Sequence, residues 1–107
     1  MDKYLINIAE DFSEIPGARY YDDGDFSGQE FREKFLEKEF DKYDVIEINL
    51  DGTEGYATSF LEEAFGGLVR IVKDKEKVLT KLTFISTEEP NLIEEIMSYI
   101  KEAKVNN

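Results

Sequence analysis

Residues 45–72, VIEINLDGTEGYATSFLEEAFGGLVRIV, contain a strand, a loop and a helix in succession. β-Branched and apolar residues alternate with Glu47 and Asn49 at the start of this stretch, which is the pattern of a strand that is at least half buried. Gly and Asp tolerate turn conformations that strand residues do not, and residues 51–55 are rich in both. We therefore predict a strand over 45–50 that ends in a turn.

The helix of this unit is predicted to begin at Ser59. Ser59 and Glu62 have the spacing of a capping box, in which the hydroxyl bonds the amide of residue 62 and the carboxylate bonds back to the cap. Apolar residues then recur at helical spacing as far as Val72. The opposite face, which we expect to face solvent, carries Glu62, Glu63, Gly66 and Gly67.

The rest of the chain predicts three more strands and two more helices. The strands lie at residues 4–8, 19–21 and 78–85, and the second of them is short enough to return antiparallel to the first. One helix runs from a second capping box, Ser27 with Glu30, to about Tyr43, and another opens at 86–90. The alternation of strand and helix also predicts crossovers between parallel strands.

Composition restricts the class of function. The chain of 107 residues has 41% hydrophobic residues, which suits one domain with its own core. Thirteen Lys and Arg stand against 25 Asp and Glu, a net charge of −12 that repels nucleic acid and anionic membranes. This acidity serves either solubility or electrostatic steering toward a basic partner.

The chain lacks the residue types that most often act in catalysis or bind metal ions. The absence of His and Cys excludes serine triads, cysteine–histidine pairs and the commonest zinc sites, so we expect no enzyme and no cofactor. Asp22, Asp23 and Asp25 surround Gly24 but lack the spacing and closing glutamate of an EF-hand, so we expect a solvated turn and no metal. No signal peptide or apolar run of about 20 residues is present, which predicts a cytoplasmic protein.

Two adjacent glycines inside a predicted helix need an explanation. Gly66 and Gly67 each cost about 1 kcal/mol relative to Ala. Three explanations remain open: close contact with a partner protein, close approach within the chain, or the end of the helix.

The hydroxyls of Thr58 and Ser59 lie at the predicted helix N-terminus, where the helix dipole favours a phosphate. Capping of the helix and phosphorylation of Ser59 by another protein are both consistent with this position. A serine nucleophile is disfavoured because the chain has no His and no glycine-flanked elbow around Ser59.

Three segments carry a resemblance to a known family. They are PGARY at 16–20, FSGQEFR at 26–32 and TSFLEEAFGGL at 58–68. Together they resemble the STAS-like family of uncharacterised bacterial domains (a DUF), which is distantly similar to the STAS domain of sulphate transporters and anti-sigma factor antagonists. The resemblance implies a mixed sheet with helices.

The resemblance also implies a site. Without gaps, Ser59 matches the serine of antagonists that a partner anti-sigma kinase phosphorylates, although Ala57 replaces an acidic residue and Phe60 replaces a glycine. The resemblance implies that a partner such as a histidine-kinase-like ATPase binds the loop and helix after Tyr56.

The sequence therefore predicts a single α/β domain over residues 1–107, with a mixed four-stranded sheet and three main helices. Its predicted function is that of a non-enzymatic regulatory module. The predicted partner-binding residues are Thr58, Ser59, Glu62, Glu63, Gly66 and Gly67. The alternative is a small-molecule or nucleotide-binding domain, in which Arg19 and the 22–27 loop, with Asp23 and Ser27, meet the helix terminus at Ser59.

Overall fold

The computed structural model describes residues 2–105. Within them, three strands form one sheet in the order β1–β2–β3. Strand β1 spans Lys3–Asn7, β2 spans Val45–Asn49 and β3 spans Leu82–Ile85. Both pairings are parallel, with Leu5 opposite Glu47 and Glu47 opposite Thr83. Parallel neighbours need a crossover, and helices supply it here.

Four main helices connect and follow these strands. Helix α1 covers residues 28–37, as Gly28–Phe31 followed by a π-helical stretch, Arg32–Glu37. Helix α2 covers residues 58–72 and has a π-helical middle, Glu62–Gly66. Helix α3 spans Lys75–Lys81 and α4 spans Asn91–Glu102. Shorter helical turns occur at Ile8–Phe12 and Tyr21–Asp23.

The core lies between the helices and one face of the sheet. Ile6, Ile46 and Ile48 are buried on that face, whereas Leu5 on the opposite face is 62% exposed. The helices contribute the largest fully buried side chains, Phe31, Phe60 and Phe65. Phe12, from the turn after β1, contacts the rings of Phe31, Phe35 and Phe60. The two crossover connections are therefore joined by one aromatic cluster.

The predicted four-stranded mixed sheet is not what the described residues form. Residues 19–21 are not a strand, because their backbone groups bond locally. The Tyr20 amide donates to the Asp23 carboxylate at 3.1 Å, and the Tyr21 amide donates to the Gln29 side chain at 3.1 Å. Since the amides of Tyr20 and Tyr21 are already satisfied, two of the three donors of the segment are not available to a strand ladder.

The strand predicted at 78–85 is correct only in its second half, because α3 occupies residues 78–81. Asp74 caps α3 by accepting from the Lys77 amide at 3.0 Å, and Val78 is buried on the inner side of the helix. Strand β3 begins only at Leu82. The first strand ends at Asn7 rather than at residue 8, because the Asn7 side chain caps the helical turn that follows.

Other predicted elements agree with the structure. The Ser27 hydroxyl accepts from the Glu30 amide at 3.0 Å and begins α1, although regular helix ends at Glu37 rather than near Tyr43. Helix α4 buries Leu92, Ile96 and Ile100 on the face predicted for it. Within residues 2–105, no helix is long and apolar enough to cross a membrane.

Candidate functional site

Helix α2 begins without the predicted serine cap. The N-cap residue is Ala57, whose side chain makes no capping hydrogen bond, and Ser59 already lies within the first turn. Thr58 is exposed and Ser59 is half-buried. The predicted capping box of Ser59 with Glu62 is therefore wrong, because the Glu62 carboxylate is held by arginines instead of reaching back to the cap.

Glu62 lies between two arginines from different parts of the chain. Its carboxylate accepts from Arg19 Nη1 at 2.6 Å and from Arg70 Nη1 at 2.8 Å. The hydrogen bond from Arg70, reinforced by Arg19 against the opposing effect of burial, holds the pKa of Glu62 below its usual value. Its stabilising contribution is therefore complete above the ordinary carboxyl pKa and is lost as the pH falls through the lowered value.

The neighbouring Glu63 forms a buried ion pair with Arg32 of α1. Their side chains are only 9% and 8% exposed. Arg32 Nη1 donates to the Glu63 carboxylate and, at 3.0 Å, to the Glu63 carbonyl oxygen. Arg32 Nε donates to Glu37 at 2.6 Å. Arg32 therefore joins α1 to α2.

These six residues form what we call the Arg–Glu network: Arg19, Arg32, Arg70, Glu37, Glu62 and Glu63. The sequence has only three arginines and all three belong to it. Arginine presents several donors in a fixed planar arrangement and suits such paired carboxylates better than lysine does. Arg32 and Arg70 were not predicted as site residues from the sequence. The signal that could have indicated them is that the chain has only three arginines against ten lysines.

The two glycines of α2 make room for this network. Gly66 and Gly67 are buried, so their predicted place on a solvent-facing surface is wrong. A Cβ at Gly67 would lie 2.6 Å from Arg32 Nη1, and one at Gly66 would lie 2.5 Å from Glu62 Oε2. The helix continues through both residues, which excludes helix termination. Close approach to Arg32 of α1 explains Gly67, whereas the neighbour of Gly66 is the end of a partly exposed side chain of the same helix.

We expect Gly67→Ala to lower the free energy of unfolding by about 2 kcal/mol, because the added methyl displaces a buried guanidinium from its partner. Gly66→Ala is the matched control. Its neighbour Glu62 is 26% exposed and free to shift, and the gain in helix propensity of about 1 kcal/mol offsets the strain. Urea denaturation of the two variants measures both effects. Equal stability of the two alanine variants would contradict this account of Gly67.

An open cleft of about 560 Å³ brings together residues predicted for a ligand site. Arg19, Asp23 and Ser59 all line it. Ser27 does not, because it is fully buried and its hydroxyl caps α1. Arg19 is already paired with Glu62, and its guanidinium lies 5.9 Å from the centre of the Tyr20 ring.

The acidic turn beside this cleft is exposed at Asp22, Asp23 and Asp25. Asp23 accepts from the Tyr20 amide and so serves the turn itself. Among residues 2–105, no group of carboxylates is arranged to hold a metal ion.

Comparison with known protein families matches residues 27–92 to the STAS-like domain of unknown function, DUF4325. The matched segment runs from the cap of α1 through β2, α2, α3 and β3 to the start of α4, and it contains Arg32, Glu62, Glu63 and Arg70. No curated protein and no solved structure was found to match the chain. The resemblance drawn from the three sequence segments is confirmed, and the chain belongs to the STAS-like domains of unknown function.

Proposed function

We propose that this domain is a non-enzymatic protein-interaction module that binds a regulatory partner through the loop and helix at residues 56–70. The observation that carries the proposal is the presentation of the α2 N-terminus. Its first turn has no side-chain cap, and it exposes Thr58 beside the half-buried Ser59. First-turn amides without a side-chain cap are donors that a partner's carbonyl or carboxylate can satisfy.

The Arg–Glu network fixes the position of the helix that carries this surface. A binding surface needs supporting residues that fix its geometry, and buried hydrogen-bonded groups provide them. Glu63 and Gly67 are buried against Arg32 of α1 and hold α2 to it, and Gly66 is buried beside Glu62 and Arg70 of its own helix. None of the three is placed to touch a partner. Thr58, Ser59 and the exposed part of Glu62 are the residues that meet it.

The family likeness suggests the kind of partner. A histidine-kinase-like ATPase that phosphorylates Ser59 would fit the resemblance of residues 57–61 to the phosphorylated segment of antagonist domains. The substitution of glycine by Phe60 is compatible with this, because Phe60 is fully buried and leaves the surface around Ser59 unobstructed by its ring. A phosphate on Ser59 adds about −1.5 to −2 charges beside Arg19, which lines the same cleft.

We expect Thr58→Trp to weaken partner binding at least tenfold, because a bulky side chain on the first turn of α2 holds the surfaces apart. Thr83→Trp, on the exposed face of β3, is the control. The measurement is the affinity of wild type and both variants for the partner recovered from the native cell, with a melting curve for each. Loss of binding by Thr83→Trp alone would move the interface to the open face of the sheet.

A second candidate, small-molecule or nucleotide binding, is favoured by the cleft that Arg19, Asp23 and Ser59 share. A ligand there would have to compete with Glu62 for Arg19. A saturable rise in melting temperature with one member of a metabolite panel, lost in Ser59→Trp, would favour this function over protein binding.

A further inference from the structure

The loops at one end of the sheet carry many carboxylates and almost no cations. Three loops follow the C-terminal ends of the parallel strands and therefore meet at one edge: residues 8–27, 50–57 and 86–90. We call this the loop edge. It carries ten carboxylates and a single cation, Arg19. Seven of the ten lysines lie in the segments 38–44, 73–77 and 101–104, outside the loop edge.

The ten carboxylates of the loop edge have no counter-cations within residues 2–105. They are Glu10, Asp11, Glu14, Asp22, Asp23, Asp25, Asp51, Glu54, Glu88 and Glu89. None of the eleven ion pairs of the described chain includes one of these ten carboxylates, and Arg19 itself pairs with Glu62 and Glu63 of α2. Charges of one sign that remain unpaired create a strong local field, which attracts the opposite charge over a long range.

Some of these carboxylates have a structural role. Asp11, Asp23, Asp51 and Glu88 accept backbone amides and thereby shape their turns. The other six are exposed and accept no hydrogen bond from residues 2–105. Turn formation therefore accounts for four of the ten and leaves six unexplained.

Apolar side chains lie among these charges. Five large hydrophobic residues of the described chain are exposed, and three of them belong to the first loop of this edge: Ile15, Tyr20 and Tyr21. They are 56%, 46% and 45% exposed. Tyrosine is enriched among the residues that dominate protein interfaces, because it buries a large area at a small cost in entropy. The same loop lines the cleft that contains Ser59.

From this arrangement we propose that the loop edge is the docking surface for a basic partner segment, in which Lys or Arg side chains alternate with apolar ones. This inference rests on the proposed function and specifies its partner. The apolar residues of the segment pack on Ile15, Tyr20 and Tyr21, and its cations face the unpaired carboxylates. Nucleic acid is excluded as the occupant because its phosphates would be repelled by the same charges.

The test uses a random peptide library selected on the immobilised wild-type protein. We expect the recovered peptides to be rich in Lys and Arg next to apolar residues, and to bind less tightly as salt is raised. The test variant combines Asp25→Asn with Glu54→Gln, which removes two loop-edge charges that make no hydrogen bond. The matched control combines Glu76→Gln with Glu102→Gln, two exposed charges outside the loop edge.

For the peptide that binds best, we expect the Asp25→Asn, Glu54→Gln protein to lose affinity about fivefold or more, and the control to stay within about twofold of wild type. Equal affinities of the two variants would overturn the proposal. Recovery of neutral or acidic peptides whose binding is abolished by Thr58→Trp would overturn the basic partner but leave the interaction site at α2. Recovery of no peptide above background would overturn the basic segment as the occupant, while the affinity of Thr58→Trp for the partner from the native cell separately tests the interaction site at α2.

Discussion

Glu63→Gln is expected to lower the free energy of unfolding by about 3 kcal/mol, close to the lower end of the range for breaking a buried ion pair. The glutamine removes the charge but keeps the shape, so the buried Arg32 guanidinium is left without the carboxylate it donates to. Glu37 remains as its one strong partner, at 2.6 Å from Nε. Arg32 then has one strong carboxylate partner instead of two, at a site that is 8% exposed and where little water can replace the lost one.

Glu62→Gln is the matched control for that experiment. Glu62 sits next in sequence and also binds two arginines, but its side chain is 26% exposed and water can replace part of the lost interaction. Denaturant unfolding of both variants should show a clearly larger loss for Glu63→Gln. If the two losses are equal, burial of the Arg32–Glu63 pair does not decide its importance.

A double replacement separates the pair from its surroundings. Arg32→Met and Glu63→Met should each destabilise the fold, and the double variant should be more stable than either single one, because it buries no charge at this position. Additive losses would show that Arg32 and Glu63 act independently.

Gly28→Ala is expected to lower the free energy of unfolding by about 3 kcal/mol. A Cβ at Gly28 would overlap the carbonyl oxygen of Phe60 and lie 3.1 Å from the Glu63 Cβ and 3.2 Å from the Ala64 amide nitrogen. Two of these atoms belong to the backbone of α2 and cannot rotate away. The two helices would have to separate, which also pulls Arg32 from Glu63.

Gly17→Ala is the control for this variant, since its nearest neighbour is the Ile15 carbonyl oxygen at an ordinary 3.8 Å and the residue is exposed. We expect it to be neutral or slightly stabilising, because alanine restricts the unfolded chain. Thermal or denaturant unfolding of both variants decides the matter. A Gly28→Ala protein as stable as Gly17→Ala would show that α1 and α2 are not in the close contact described.

Local signals in the sequence determined several elements correctly. The alternation over residues 45–50 predicts β2, the Ser27–Glu30 spacing predicts the start of α1, and the apolar residues of α4 lie on the buried face. These signals succeed because helix and strand periodicity and helix caps depend on residues a few positions apart. The family, too, was readable from short segments.

Short segments with competing local preferences were harder to predict. Residues 78–81 are apolar enough for a strand, but the Asp74 cap places them in α3. Residues 19–21 have strand composition, yet the Asp23 and Gln29 side chains take the backbone donors that a strand would need. In both cases a side chain outside the segment decided its conformation.

The site depended on contacts that no local pattern encodes. On a helical wheel, Gly66, Gly67 and Glu63 lie on the polar face of α2, and the sequence alone predicts that this face meets solvent or a partner. The structure places Arg32 of α1 against this polar face of α2. Arg19, from a loop more than forty residues earlier, pairs with Glu62 on the same helix. The sequence by itself determined strand β2, the start of α1, the buried face of α4 and the family to which the chain belongs. Only the tertiary structure decided which polar face is buried, because that depends on charges brought together from distant parts of the chain, whose pairing offsets the cost of removing them from water.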